Sequence, residues 1–168
     1  FDPSKFSYIG SADAGTRVCI TGPKSKIKTF EDAQKNKTIM GASQAGGSTR
    51  DYAFMLNHTA GAKFDVVSGY KGTRAIFLAM ERGEVDGMCG LDWSSMKSQK
   101  GDWVRDRTVN ILVQAALDPE PELNALNVPS IWKYIKAADD IKAVKLIVSQ
   151  QVFGRPYVAP PGTPPERV

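Results

Sequence analysis

The 168-residue sequence is poor in the side chains that build metal and redox centres. It has two cysteines, Cys19 and Cys89, which form no CxxC, and a single histidine, His58. That is too few nitrogen and sulfur ligands for a zinc site, so no metal and no cofactor is expected. His58 falls near the end of a helix, where partial positive charge suits the dipole. Nothing pairs it with a cysteine nucleophile. No GxGxxG or Walker pattern occurs, which disfavours a nucleotide phosphate as ligand. The apolar stretches, such as Ile111–Val113, are far shorter than the roughly 20 residues that span a bilayer. There is no internal repeat and no low-complexity tract. The chain opens on Phe1-Asp2-Pro3, without an initiator Met or a signal-peptide pattern. It stops inside a helix start, Pro164-Pro165-Glu166-Arg167-Val168, and both ends read as cut edges of a larger protein. Net charge is +4 and the pI about 9.1. The basic residues are scattered, not clustered among aromatics, so nucleic acid is not an expected partner. A mildly basic lobe that meets anionic metabolites fits better.

The most informative stretch is 39–61, IMGASQAGGSTRDYAFMLNHTAG. It reads as a strand (Ile39–Ala42), a small-residue loop (Ser43–Gly47) and an amphipathic helix (Ser48–Ala60). Glycines at a helix entrance let a ligand approach the backbone closely. The first helical N–H groups lack intrahelical partners and sit at the positive end of the dipole. The entrance is therefore a candidate seat for a carboxylate. A second reading stays open beside it: Ser48 and Asp51 have capping-box spacing, and such a cap would satisfy the same amides internally.

Further along the chain, Phe6–Ile9 and Thr16–Thr21 alternate as strands do. Thr29 precedes a short acidic helix start as its N-cap. Phe64–Val67 predicts a strand and Thr73–Arg82 a helix with Ile76, Phe77 and Met80 on its core face. Gly83 is its expected C-cap. Glu84–Cys89 and Val109–Val113 predict strands, with a weak helix over Ser94–Lys100 between them. Asp118–Val128, rich in proline and acid, reads as an irregular surface segment. Ile131–Lys136 reads as a short helix. Ala138–Gln150 reads as a clear one, with Ile141, Val144, Val148 and Val152 in phase. The alternation of strands and helices predicts a parallel α/β sheet covered on both faces. Ligands collect beyond the carboxyl ends of such strands. The loops Ser43–Thr49, Ser68–Gly72 and Gly90–Trp93 converge there.

A series of motifs then carries a resemblance. Val18-Cys19-Ile20 leads to Ile27-Lys28-Thr29-Phe30-Glu31-Asp32. Gly46-Gly47-Ser48-Thr49, Gly69-Tyr70-Lys71-Gly72, Gly83-Glu84-Val85-Asp86-Gly87 and Val158-Ala159-Pro160-Pro161-Gly162-Thr163-Pro164 follow in order. Over essentially the whole chain this resembles the substrate-binding receptors of tripartite tricarboxylate transporters, also called Bug receptors. The resemblance implies a type II periplasmic-binding-protein lobe: a mostly parallel five-stranded sheet with one antiparallel strand and helices on both faces. Residues 1–29 would be an entry segment and crossover strand, 30–128 the ligand-binding lobe, and 129–168 a helix and return segment toward a missing N-terminal lobe. The implied function is non-enzymatic: periplasmic capture of a small organic acid between two lobes for delivery to membrane transporter subunits. A sensor lobe, the receptor of another transporter class, and an enzyme on the same lobe pair are the alternatives. By the same mapping the ligand-binding residues are Ser43, Gly46, Gly47, Ser48, Thr49, Tyr70 and Asp92. The family loop more often reads Gly-x-Gly-Thr/Ser, whereas the glycines are adjacent here, which bears on loop geometry and ligand size. The implied topology places Cys19 and Cys89 on neighbouring strands. Either a disulfide or two buried thiols fits.

Overall fold

The computed structural model describes residues 2–11 and 15–167. Its seven strands are β1 (Ser7–Ser11), β2 (Arg17–Thr21), β3 (Thr38–Ala42), β4 (Phe64–Ser68), β5 (Gly87–Asp92), β6 (Asn110–Ala115) and β7 (Pro156–Ala159). The helices are α1 (Phe30–Lys35), α2 (Ser48–Ala60), α3 (Thr73–Arg82), α4 (Trp93–Arg105), α5 (Pro121–Ala125) and α6 (Ala138–Ser149). The main sheet has the order β4-β3-β5-β2-β6. Strand β3 runs parallel to β4 and β5, and β2 runs antiparallel to both β5 and β6. Four strands therefore share one direction and β2 alone opposes them, as the motif resemblance implies. A separate two-stranded ribbon pairs β1 with β7.

Two cores sandwich the sheet. One packs Phe30, Tyr52, Met55, Leu56, Ile131, Val144 and Val148 against Cys19, Met40, Cys89 and Val113. The other packs Ile76, Phe77, Met80, Met96, Trp103 and Leu123 against Val18, Ile20, Met88 and Leu91. Period-2 alternation sends Val18 and Ile20 to one face and Cys19 to the other. On β5, however, Met88 and Leu91 share a face although three residues separate them. Val18 pairs with Leu91 and Ile20 with Met88, so β5 carries one extra residue there. The bulge is accommodated at Gly90, whose φ is +62°.

Local signals explain most boundaries. Thr29 caps α1 in a full capping box with Asp32. Helices α2 and α3 keep the expected limits, closed by left-handed Gly61 and Gly83. Three expectations are corrected. Strand β5 starts at Gly87, not Glu84, because Asp86 turns aside to accept hydrogen bonds from Ile39 N–H (2.8 Å) and Ser25 Oγ (3.0 Å). The segment 118–128 is not wholly irregular surface: Pro121 opens α5, a favoured first helical position. There Leu123 is fully buried, and the Gln114 carboxamide pins the segment through Asn124 Oδ1, Val128 O and Glu120 N–H. Helix α6 ends before Val152, which is exposed in a following 3-10 turn. Cys19 and Cys89 are joined in a disulfide with their Cα atoms 3.9 Å apart, which settles the two readings in favour of the bond. Among the described residues no helix is long and apolar enough to cross a membrane.

Candidate functional site

The carboxyl ends of β3 and β4 and the start of α2 meet at one rim of the sheet. The chain leaves β3 at Ala42, whose carbonyl accepts from the N–H groups of both Gly69 (3.1 Å) and Tyr70 (3.2 Å). That double bond ties the β4–α3 loop against the β3–α2 loop. Between them lies a crevice of roughly 430 Å³. Ser43, Gln44, Gly46, Gly47, Tyr70 and Lys71 are among the residues lining it. Its size is in the range that holds small ligands.

The loop itself is braced from within. Thr49 is buried, and its hydroxyl accepts from Ser43 N–H at 2.9 Å and lies 2.9 Å from Ser43 Oγ. Gly47 donates to Gln44 O at 3.1 Å, closing a turn, and a Cβ on Gly47 would meet Ser43 Oγ at 2.3 Å. Gly46 has φ +80° and faces open space. Gly47 is the N-cap of α2 and provides no side-chain bond; its carbonyl accepts from Arg50 and Asp51. The Ser48–Asp51 capping box is therefore not built, because Ser48 is the first helical residue and not the cap. Among the described residues, the main-chain N–H groups of Ser48 and Thr49 have no acceptor. They stand at the positive end of a helix of 13 residues.

A second pocket, roughly 260 Å³, opens on the other side of Gly46. Arg17, Ser48, Asp51, Tyr52 and Gln151 are in its wall. Arg17 begins β2, which runs against its neighbours and so starts at their carboxyl rim. Its guanidinium donates one long hydrogen bond, 3.4 Å to Gly90 O, and lies 3.9 Å from Asp92. Burial raises the Tyr52 hydroxyl above its usual pKa, so it is neutral and donates or accepts. Gln151 is 6% exposed and its Nε2 donates to Tyr52 Oη. Its Oε1 is buried without a partner among the described residues. Such an orphan costs about 1–3 kcal/mol.

The expected site residues thus divide. Ser43, Gly46, Gly47 and Tyr70 line the first crevice, Gly46 and Ser48 the second pocket, and Thr49 lies beneath both as a brace. Asp92 stands at the same rim but lines neither. It caps α4 by accepting from Ser95 N–H (3.1 Å) and Ser94 Oγ (2.6 Å), and pairs with Arg155 at 3.3 Å. Arg17 and Gln151 carry no local sequence signal, being brought to α2 by β2 and by the segment after α6. Lys71 sits inside the Gly-Tyr-Lys-Gly loop beside Tyr70 and was not among the expected site residues. A depression of similar size between α3 and α4 is lined by Arg74, Glu81 and Lys100, and there Lys100 and Glu81 pair with each other. Among the described residues no group of three or more His, Cys, Asp or Glu side chains is placed to hold a metal ion.

The brace can be tested directly. Thr49→Val keeps the shape but leaves Ser43 N–H without its acceptor. It is expected to destabilise the protein by about 1–3 kcal/mol and to lower the melting temperature by about 2–12 °C. A melting curve that coincides with the native one would show the Ser43–Thr49 bond to be dispensable.

No protein-family model matches the sequence, and no curated protein does. Solved structures do match in fold. Rpa4515 of R. palustris, solved with adipate, is 16% identical with a TM-score of 0.62, over 99% of this chain and 52% of that one. A TctC solute-binding protein from Polaromonas is 10% identical with a TM-score of 0.61, over 94% of this chain and 63% of that one. The periplasmic binding protein BugD is 19% identical with a TM-score of 0.55, over 99% of this chain and 52% of that one. The chain therefore has the fold of part of a TctC/Bug-type solute-binding protein, and spans about half to just under two thirds of the length of these structures. The Polaromonas protein and BugD are binding proteins of the type that the ordered motifs resemble.

Proposed function

We propose that the chain is the second lobe of a periplasmic solute-binding protein of the TctC/Bug type, which captures a small organic carboxylate and presents it to membrane transporter subunits. The observation that carries the reading is the pair of unsatisfied amides, Ser48 and Thr49, at the open N-terminus of α2. Unsatisfied N–H donors at a helix N-terminus, reinforced by the dipole, suit a carboxylate oxygen. Lys71 in the adjoining crevice supplies attraction of the right sign. Tyr70 shapes the crevice wall, and Asp92 positions Arg17 and α4 rather than touching ligand. The adipate in Rpa4515 supports a dicarboxylate of that size as a first candidate. Binding without chemistry suits a rim where no nucleophile–base pair is assembled among the described residues.

In this reading residues 1–29 enter from a first lobe, 30–128 form the ligand-binding lobe and 129–168 return toward the first. The ribbon of β1 and β7 leaves Tyr8, Ile9, Phe153, Tyr157 and Val158 substantially exposed, with Tyr8 and Phe153 in edge contact. An apolar patch of that kind suits burial against another lobe.

Magnitudes limit what one lobe does alone. Two hydrogen bonds to a charged group and the dipole give about 4–7 kcal/mol of gross attraction. Association costs at least about 4 kcal/mol, while micromolar affinity needs about 8 kcal/mol net. The net is at most about 3 kcal/mol, so the 168-residue chain is expected to bind dicarboxylates no more tightly than about 6 mM, with tight capture left to closure by two lobes. A ¹⁵N-labelled sample titrated with adipate to hundreds of millimolar, against matched sodium chloride, should move the Ser48 and Thr49 amide resonances along a saturable curve. If those two resonances stay where they are, the α2 entrance is not a carboxylate seat.

A further inference from the structure

The second pocket holds two groups that the carboxylate reading does not use, Arg17 and Gln151. Arg17 is held in the wall beside Ser48 but is only weakly engaged. Its single hydrogen bond is long, and its carboxylate partner, Asp92, already has Arg155 closer, at 3.3 Å against 3.9 Å, and caps α4 as well. A guanidinium has five donors in a planar fork matched to a carboxylate, and most of them have no acceptor among the described residues. Gln151 contributes the opposite polarity. Its carboxamide is fixed by Tyr52 at one end and unpaired at the other, in a residue that is 94% buried by the complement of its 6% exposure. A built-in acceptor without a donor is rare in folded proteins. Here it stands in the wall of a pocket that also contains a helix N-terminus and an underused cation.

We propose that this pocket selects carboxylates that carry a hydrogen-bond donor, a hydroxyl or an ammonium, close to the carboxylate carbon. The carboxylate lies across Arg17 and the Ser48 amide. The donor turns toward Gln151 Oε1, which is buried and has no hydrogen-bond partner among the described residues. Neither residue is needed for the crevice on the other side of Gly46 to attract an anion. The inference rests on the carboxylate reading of the α2 entrance and adds to it the charge partner and the selectivity.

The test compares three acids of one carbon skeleton on the same ¹⁵N-labelled chain: succinate, L-malate with a hydroxyl, and L-aspartate with an ammonium. Malate, aspartate or both are expected to bind about three- to tenfold more tightly than succinate, the worth of one added hydrogen bond. Whichever does so identifies the donor. Gln151→Leu should bring the three dissociation constants together, and Arg17→Gln should weaken all three by at least about tenfold, the worth of a charged pair. The comparison on the native chain stands even if a variant fails to fold. Ser48 and Thr49 resonances that respond to all three acids with equal affinity would overturn the selectivity and leave the carboxylate seat intact. Resonances that respond to none would remove both.

Discussion

Reducing the Cys19–Cys89 bond is expected to lower the melting temperature by about 8–16 °C. The bond closes a loop with a sequence separation of 70 residues. Releasing a constraint of that length from the unfolded chain is worth about 4 kcal/mol, and a protein of this size loses about 2–4 °C per kcal/mol. Both sulfurs lie in the core under α2, among Met40, Leu56 and Val113. The bond fastens β2 to β5, the two strands that set Arg17 and Asp92 opposite each other. Melting with and without dithiothreitol measures the effect. The Cys19→Ala/Cys89→Ala double variant should melt low in both conditions, because it has no bond to reduce. Equal melting temperatures for the oxidised and reduced native protein would show that the link adds nothing to stability. A bond of this kind also fits an oxidising compartment, as a periplasmic receptor would require.

The second large effect is expected at Gly90. A Cβ built there would stand 2.1 Å from Ser48 O and 3.1 Å from Thr49 N, and the residue's φ of +62° already disfavours any other side chain. Gly90→Ala must either flatten the bulge or push the first turn of α2 away from β5. The left-handed backbone costs on the order of 1–3 kcal/mol and the displaced packing about as much again. A loss of about 2–6 kcal/mol in stability is expected, readable as a fall of about 4–24 °C in melting temperature. More telling is the second readout. The Ser48 and Thr49 amide resonances should shift in the unliganded variant, and their response to adipate should be lost. Gly101→Ala is the control, since an added Cβ there meets nothing within 4 Å. If Gly90→Ala melts like the native protein and still responds to adipate, the close approach between β5 and α2 does not hold the site in place.

Much of the architecture was legible because local chemistry decided it. The limits of α2 and α3 follow from apolar periodicity and from glycine at both C-caps, and Thr29 announces α1 through its acid partner. The misreadings arose where distant residues intervene. Strand β5 begins three residues late because Asp86 is recruited by Ser25 and Ile39. Segment 118–128 looks like surface until Gln114, buried at 0% exposure, is seen to hold it in place. The glycine loop was legible as an anion seat, but its two-sided character was not. Nothing near residue 46 indicates that Arg17 and Gln151 will arrive on one side and Lys71 on the other. Thr49 was legible as part of the loop, whereas its role as an internal acceptor for Ser43 depends on a turn that only the folded loop creates.

The central place of β2 has a consequence for how the chain matures. Both of its edges are bare until β5 and β6 are available, and β6 ends at Ala115. During synthesis the β3–α2–β4–α3 portion can assemble from neighbouring segments, while the strand bearing Arg17 and Cys19 waits. That wait exposes two unpaired main-chain edges and a free thiol at the stage when association between copies is most dangerous. The continuous layer therefore exists only once β2 has paired with both β5 and β6.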